Sequence, residues 1–155
     1  MTTAMCPGSF DPPTNGHIDL VERARAVFDR VIVAVIDNPS KRHMFTAAER
    51  ADLFRVVFGD TVEVTTFSGL LVDHAREKGV DVIVKGIRTT ADHEYETQMA
   101  HMNRHLSGIE TMFLPTSPDV SFISSSLVKE VARLGGSITG LVPQAVELAL
   151  KEKLQ

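Results

Sequence analysis

At 155 residues, the chain is long enough for one domain around one core. Its composition, 43% hydrophobic and 23% charged, is that of an ordinary globular protein. The formal net charge of −4 argues against broad binding to nucleic acid, which needs a basic face, but leaves room for a small basic pocket. The single cysteine, Cys6, cannot close an intrachain disulfide and fits a reducing compartment. The longest apolar run, Val31–Ile36, falls far short of the about 20 residues that span a membrane. Met1–Cys6 shows neither the basic nor the apolar region of a signal peptide, so a cytoplasmic protein without membrane contact is expected.

Thr3–Cys6 is placed as a first strand by position alone. The loop Pro7-Gly8-Ser9-Phe10-Asp11-Pro12-Pro13-Thr14-Asn15-Gly16-His17 follows. Ile18–Phe28 sets Ile18, Val21, Ala24 and Phe28 at helical spacing. Val31–Ile36 does not alternate and predicts a strand buried on both faces. After Asp37-Asn38-Pro39-Ser40-Lys41-Arg42, the sequence Thr46-Ala47-Ala48-Glu49 is a capping box opening a helix with Leu53, Val56 and Val57. Val62–Phe67 is strand-like, Ser68-Gly69-Leu70-Leu71 a loop, and Leu70–Lys78 a helix stopped by Gly79. Val80–Val84 is a strand leading into Lys85-Gly86-Ile87-Arg88 and a long helix, Asp92–Leu106. Ile109–Leu114 is a weaker strand. Ser121–Ser126 leads into a helix over Ser125–Leu134, and Pro143 suits the first turn of a last helix to about Lys153. No repeat or linker interrupts this alternation, which implies an α/β fold: a single domain, residues 1–155, with a five-stranded parallel sheet and helices on both faces.

Ligands of such sheets bind beyond the carboxyl ends of the strands, so the loops there are where chemistry is expected. In the first loop, Gly8 and Gly16 allow close backbone approach, the following helix offers free N–H groups, and His17 stands in its first turn. A Gly-His pair alone would be an exposed turn; the whole loop after strand one points to anion binding. Lys41 and Arg42 alone would be a solvated pair. Lys85 and Arg88, with a glycine between them at a strand end, suit a polyphosphate. Ser121 to Ser126 could cap a helix or, with its free N–H groups, hold a phosphate chain. Neither standard phosphate loop, G-x-x-x-x-G-K-[ST] or G-x-G-x-x-G, is present. His101 and His105 are four apart on one helix but lack a third ligand nearby in sequence, so no protein-held metal is expected. His43, His74 and His93 belong to no constellation and are expected at the surface. Met99, Met102 and Met112 are expected in a core or subunit interface. Cys6 is expected as a small buried residue.

Pro7-Gly8-Ser9-Phe10-Asp11-Pro12 with Thr14-x-Gly16-His17 resembles the signature of the nucleotidyltransferase superfamily. With Asn38–Lys41, Lys85–Arg88, Asp92–Glu96, Ala100–His105 and Ser121–Val131, it is similar to the bacterial phosphopantetheine adenylyltransferase family across nearly the whole chain. The resemblance implies a Rossmann-like fold and transfer of an adenylyl group from ATP, accompanied by Mg²⁺, to 4′-phosphopantetheine. It implies that His17, Lys41 and Arg88 are catalytic. It implies that Ser9, Phe10, His17, Gly86, Ile87, Arg88, Glu96, Ser121, Phe122, Ile123, Ser124, Ser125 and Ser126 hold ATP, and that Ser9, Lys41, Leu71 and Lys85 hold the acceptor. It further implies a homohexamer, dephospho-coenzyme A as product and coenzyme A as a feedback ligand. Cys6, Ser9 and Lys85 stand where other members have tyrosine, threonine and arginine. A phosphate monoester is mostly dianionic at pH 7, so the expected chemistry needs no general base. Sister enzymes that adenylylate nicotinamide mononucleotide or use CTP share the first loop, and a non-catalytic ATP-binding module is the alternative of a different class.

Overall fold

The computed structural model describes residues 1–155. Its elements are β1 (Thr3–Gly8), α1 (Asn15–Arg25), β2 (Arg30–Ile36), α2 (Ala47–Phe58), β3 (Glu63–Phe67), α3 (Leu71–Glu77), β4 (Val82–Ile87), α4 (Thr90–Ser107), β5 (Glu110–Pro115), α5 (Ser125–Arg133) and α6 (Gln144–Lys153). The five strands form one parallel sheet in the order β3-β2-β1-β4-β5. The chain therefore reverses its direction of travel across the sheet between β1 and β4, the switch point of a doubly wound fold.

Alternation along the buried strands divides the core between two faces. Ala4, Cys6, Val31, Val33 and Val35 pack with Val21, Phe54 and Phe58 of α1 and α2. Met5, Ile32 and Ala34 point the other way, toward Phe67 of β3 and Ala75 of α3. A third cluster joins Phe45 and Leu53 to Ile123, Val128, Val146 and Leu150, and so docks α5 and α6 beside α2. No helix is long and apolar enough to cross a membrane.

The sheet is not equally closed on the two sides of β1. Pairing with β2 runs from Thr3↔Arg30 to Gly8↔Val35. Pairing with β4 stops at Met5↔Ile83. The Thr3 carbonyl accepts from Asp81 N–H at 2.9 Å, whereas the Thr2 carbonyl faces Arg30. Odd-numbered residues of β1 thus face β4, and the next of these after Met5 is Pro7, which has no N–H to offer the ladder. The crevice between β1 and β4 opens there.

Several expected boundaries shift. β1 and β4 extend to Gly8 and Ile87, so Lys85, Gly86 and Ile87 lie on the strand rather than in a loop after it. In α2, Val56 is exposed, and the core face is carried by Arg50, Ala51, Leu53, Phe54 and Phe58. His74 is buried rather than at the surface: Thr65 Oγ1 lies 2.9 Å from its Nε2, and its ring stacks on Phe67 at 4.8 Å. Met99, Met102 and Met112 are exposed on this chain rather than in its core.

Candidate active site

A cleft of about 510 Å³ opens at the β1–β4 seam. Its wall carries five cations, Lys41, Arg42, Lys85, Arg88 and Lys129, against three carboxylates, Asp11, Asp92 and Glu96. The excess of positive charge on a chain of net charge −4 marks a place built for anions.

The first loop is tightly braced. Phe10 adopts φ 53°, a conformation that an L-residue rarely takes, and its ring is buried edge-to-face against Phe54 at 4.7 Å and His17 at 4.9 Å. Glycine is required at position 8, because a Cβ there would stand 2.8 Å from the Phe10 ring. The Asp11 carboxylate accepts from the N–H groups of Met44 and Phe45, both at 2.9 Å, and from Lys129 Nζ at 3.0 Å. Burial works to raise its pKa, but these donors outweigh it and hold Asp11 below its usual range. Ser125 Oγ donates to the Pro12 carbonyl at 2.7 Å, tying the start of α5 to the same loop.

His17 lies in the first turn of α1 and faces the cleft. The Thr14 N–H donates to its Nδ1 at 3.0 Å. That bond makes Nδ1 the acceptor, so Nε2 carries the proton of the neutral ring and is the donor available to a ligand. Burial first, then the charges of Arg88 and Lys85, push the His17 pKa down to about 4. His17 is therefore a neutral donor at physiological pH.

The two strand-end cations are paired. Lys85 Nζ sits 3.2 Å from Glu96, and Arg88 Nε sits 3.7 Å from Asp92; Arg88 also donates to the Ile123 carbonyl at 3.3 Å. Ser124 caps α5 by accepting from the Leu127 N–H at 3.1 Å, while the Ser126 residue is exposed at the cleft wall. Cys6 is buried below, its thiol pushed up to about 12 by burial, and cannot act as a nucleophile at neutral pH.

The cleft thus collects Ser9, Phe10, His17, Lys41, Lys85, Gly86, Arg88, Glu96, Ile123, Ser124, Ser125 and Ser126. Ile87, Ser121, Phe122 and Leu71 stand outside its wall: Phe122 is exposed, Ser121 Oγ donates to the Pro118 carbonyl, and Leu71 begins α3. Asp11, Thr14, Asp92 and Lys129 lie inside the motif segments and Arg42 beside Lys41, but pattern alone assigned none of them a role at the site. His43, expected at the surface, lines the cleft as well, and Arg50 behind the wall was not singled out at all. Arg50 did leave a signal, since it precedes Phe54 and Phe58 at intervals of four on a face that is otherwise apolar.

The fold and the cation-lined cleft at its switch point are those of a nucleotidyltransferase, and residues 5–131 match the family described as cytidylyltransferase-like. The chain is 52% identical over 157 aligned positions to the phosphopantetheine adenylyltransferase of Streptomyces coelicolor, covering 100% of this chain and 99% of that one. This protein belongs to the phosphopantetheine adenylyltransferases. Among solved structures, a lipopolysaccharide core biosynthesis protein of Thermoplasma volcanium shares the fold alone, with a TM-score of 0.55 at 23% identity over 76% of this chain and 97% of that one.

Proposed function

We propose that this chain transfers the adenylyl group of MgATP to the phosphate of 4′-phosphopantetheine. An acceptor phosphate oxygen bonds to the α-phosphorus, the α-phosphorus–oxygen bond toward the β-phosphate breaks, and dephospho-coenzyme A and pyrophosphate form. The displacement is direct and in line, with no covalent enzyme intermediate. The observation that carries this reading is the neutral His17 Nε2 donor set at the β1–β4 seam with Lys85 and Arg88 near enough to depress its pKa.

The acceptor is already ionised, since the second pKa of a phosphate monoester is about 6. The task left to the protein is to bring two anions together and spread the charge of the transition state. Lys41 and Lys85, with Ser9 and, beyond the cleft wall at the start of α3, Leu71, hold the acceptor. Arg88, Glu96, the main chain at Phe10, Gly86 and Ile87, and the segment Ser121 to Ser126 hold the nucleotide. His17 donates to the α-phosphate. Magnesium enters as part of the nucleotide, bound by phosphate oxygens and water. The cleft carboxylates fit that arrangement, because Asp11, Asp92 and Glu96 are each already bonded to a cation of the chain.

Tyr95, Met99, Met102 and Leu106 of α4 lie exposed, as does Met112 of the edge strand β5. This apolar face supports a homo-oligomer, in this reading a homohexamer, which light scattering reads directly. Coenzyme A, which combines the acceptor arm with an adenylyl group, would compete for the same cleft as a feedback ligand, and the reaction is placed in the cytoplasm.

The deciding experiment is pyrophosphate release with MgATP and phosphopantetheine. The cytidylyltransferase-like match makes CTP the control nucleotide, and nicotinamide mononucleotide the control acceptor. Turnover confined to ATP and phosphopantetheine supports the assignment; turnover with another pair in its place overturns it.

A further inference from the structure

Arg50 lies on α2, is 1% exposed and does not reach the cleft wall. Its three hydrogen bonds all go to main-chain carbonyls: Ser9 at 2.6 Å, Ile36 at 2.9 Å and Phe45 at 3.1 Å. Ile36 ends β2, and Phe45 is where the chain re-enters the core before α2. Between them runs the segment 37–44, which carries Lys41, Arg42 and His43 to the cleft. One guanidinium therefore grips both ends of that segment and, through Ser9, the loop that holds His17. Asp11 grips the same place from the other side, through the N–H groups of Met44 and Phe45.

A buried guanidinium carries a desolvation cost, and an apolar side chain of similar size is often no less stabilising at such a place. Arg50 sits on a face otherwise filled by Ala51, Phe54 and Phe58, where an apolar residue would be the ordinary choice. What an apolar residue cannot supply is a planar fork that bonds three carbonyls from separate segments. We infer that Arg50 is a positioning residue for the acceptor: it sets the spacing between the Lys41 segment and the Ser9–His17 loop without touching substrate. This rests on the function proposed above, because it assigns Lys41 and Ser9 to phosphopantetheine.

The test compares the wild type with Arg50→Lys, which keeps the charge but not the fork, and Arg50→Met, which keeps neither. KM for phosphopantetheine should rise about tenfold or more in Arg50→Lys, while KM for ATP changes less than about twofold; misplacement by about 1 Å can cost 10²-fold in rate. The Met44 and Phe45 amides should exchange hydrogen at least about tenfold faster in substrate-free Arg50→Lys, since the clasp that orders them is loosened. A lower thermal midpoint with both KM values unchanged per folded molecule would show a purely structural role and overturn the inference. Equal rises in both KM values, or unchanged exchange at Met44 and Phe45, would overturn it as well. If Arg50→Met does not fold, Arg50→Lys decides. A wild type that fails to release pyrophosphate with phosphopantetheine sinks the proposed function by itself, and the exchange measurement then still decides whether Arg50 anchors the segment.

Discussion

Two loops share the cleft and are built in opposite ways. Residues 7–17 are braced on every side: Phe10, Asp11 and Thr14 are buried, the Phe10 backbone is held in an uncommon conformation, and Nδ1 of His17 is fixed by a main-chain donor. Residues 37–42 are mostly exposed, with Lys41 and Arg42 projecting from a turn that is held at its base. A braced donor acts on one oxygen at one distance, the requirement for stabilising a transition state more than a ground state. An exposed cation attracts an anion from further away and tolerates variation in its place, the requirement for capture.

The contrast can be broken at four points. The largest effect is expected from His17→Ala, which should lower kcat by roughly 10²–10³ and leave KM for ATP nearly unchanged, by analogy with loss of an oxyanion-hole donor. Steady-state kinetics with a normal kcat would disprove the catalytic role. Phe10→Ala should cost about 3 kcal/mol or more in urea unfolding, as for other buried aromatic rings; a loss below about 1 kcal/mol would show that the ring does not brace the loop. Lys41→Ala should raise KM for phosphopantetheine about tenfold, slow turnover and flatten the salt dependence of kcat/KM. A salt dependence as steep as that of the wild type would remove Lys41 from capture. The smallest effect concerns pH and stability. His17 titrates at about 4 when folded and near 6.5 when unfolded. The unfolded chain therefore takes up the proton first, and stability is lost as pH falls from 6.5 toward 4. His17→Asn should lose less over that interval in urea titrations at pH 7 and pH 4.5, and equal losses would show that His17 is not held neutral.

Much of the site was legible because local signals concentrate in its loops. The T-x-G-H element, the Lys85–Arg88 pair and the serines before α5 are each contiguous in sequence, and each falls at a strand end or helix start as expected. The sheet was legible from strand patterns alternating with helix patterns, and one of its buried strands from the unalternating run Val31–Ile36, which is apolar throughout and buried almost throughout. What local pattern could not supply is contact between distant positions. Asp11 meets Phe45 across 34 residues and Lys129 across 118, and Arg50 meets Ser9 across 41. Nor could periodicity show that His74 is buried, because a single histidine on a short helix reads the same against solvent as against Thr65 and Phe67. Strand ends slipped for a definite reason: glycines at 8 and 86 look like loop punctuation, yet both lie on strands that run on to the cleft.

The ion pairs that Lys85 and Arg88 make with Glu96 and Asp92 bear on how the enzyme empties itself. Both products are highly charged, and a ring of bare cations would retain them. Here each of these two cations has a carboxylate on α4, so that, under the proposed function, a phosphate leaving Lys85 or Arg88 would be replaced by an internal anion as it goes. The same two carboxylates would then cap affinity for the charged tail on the way in and favour turnover on the way out.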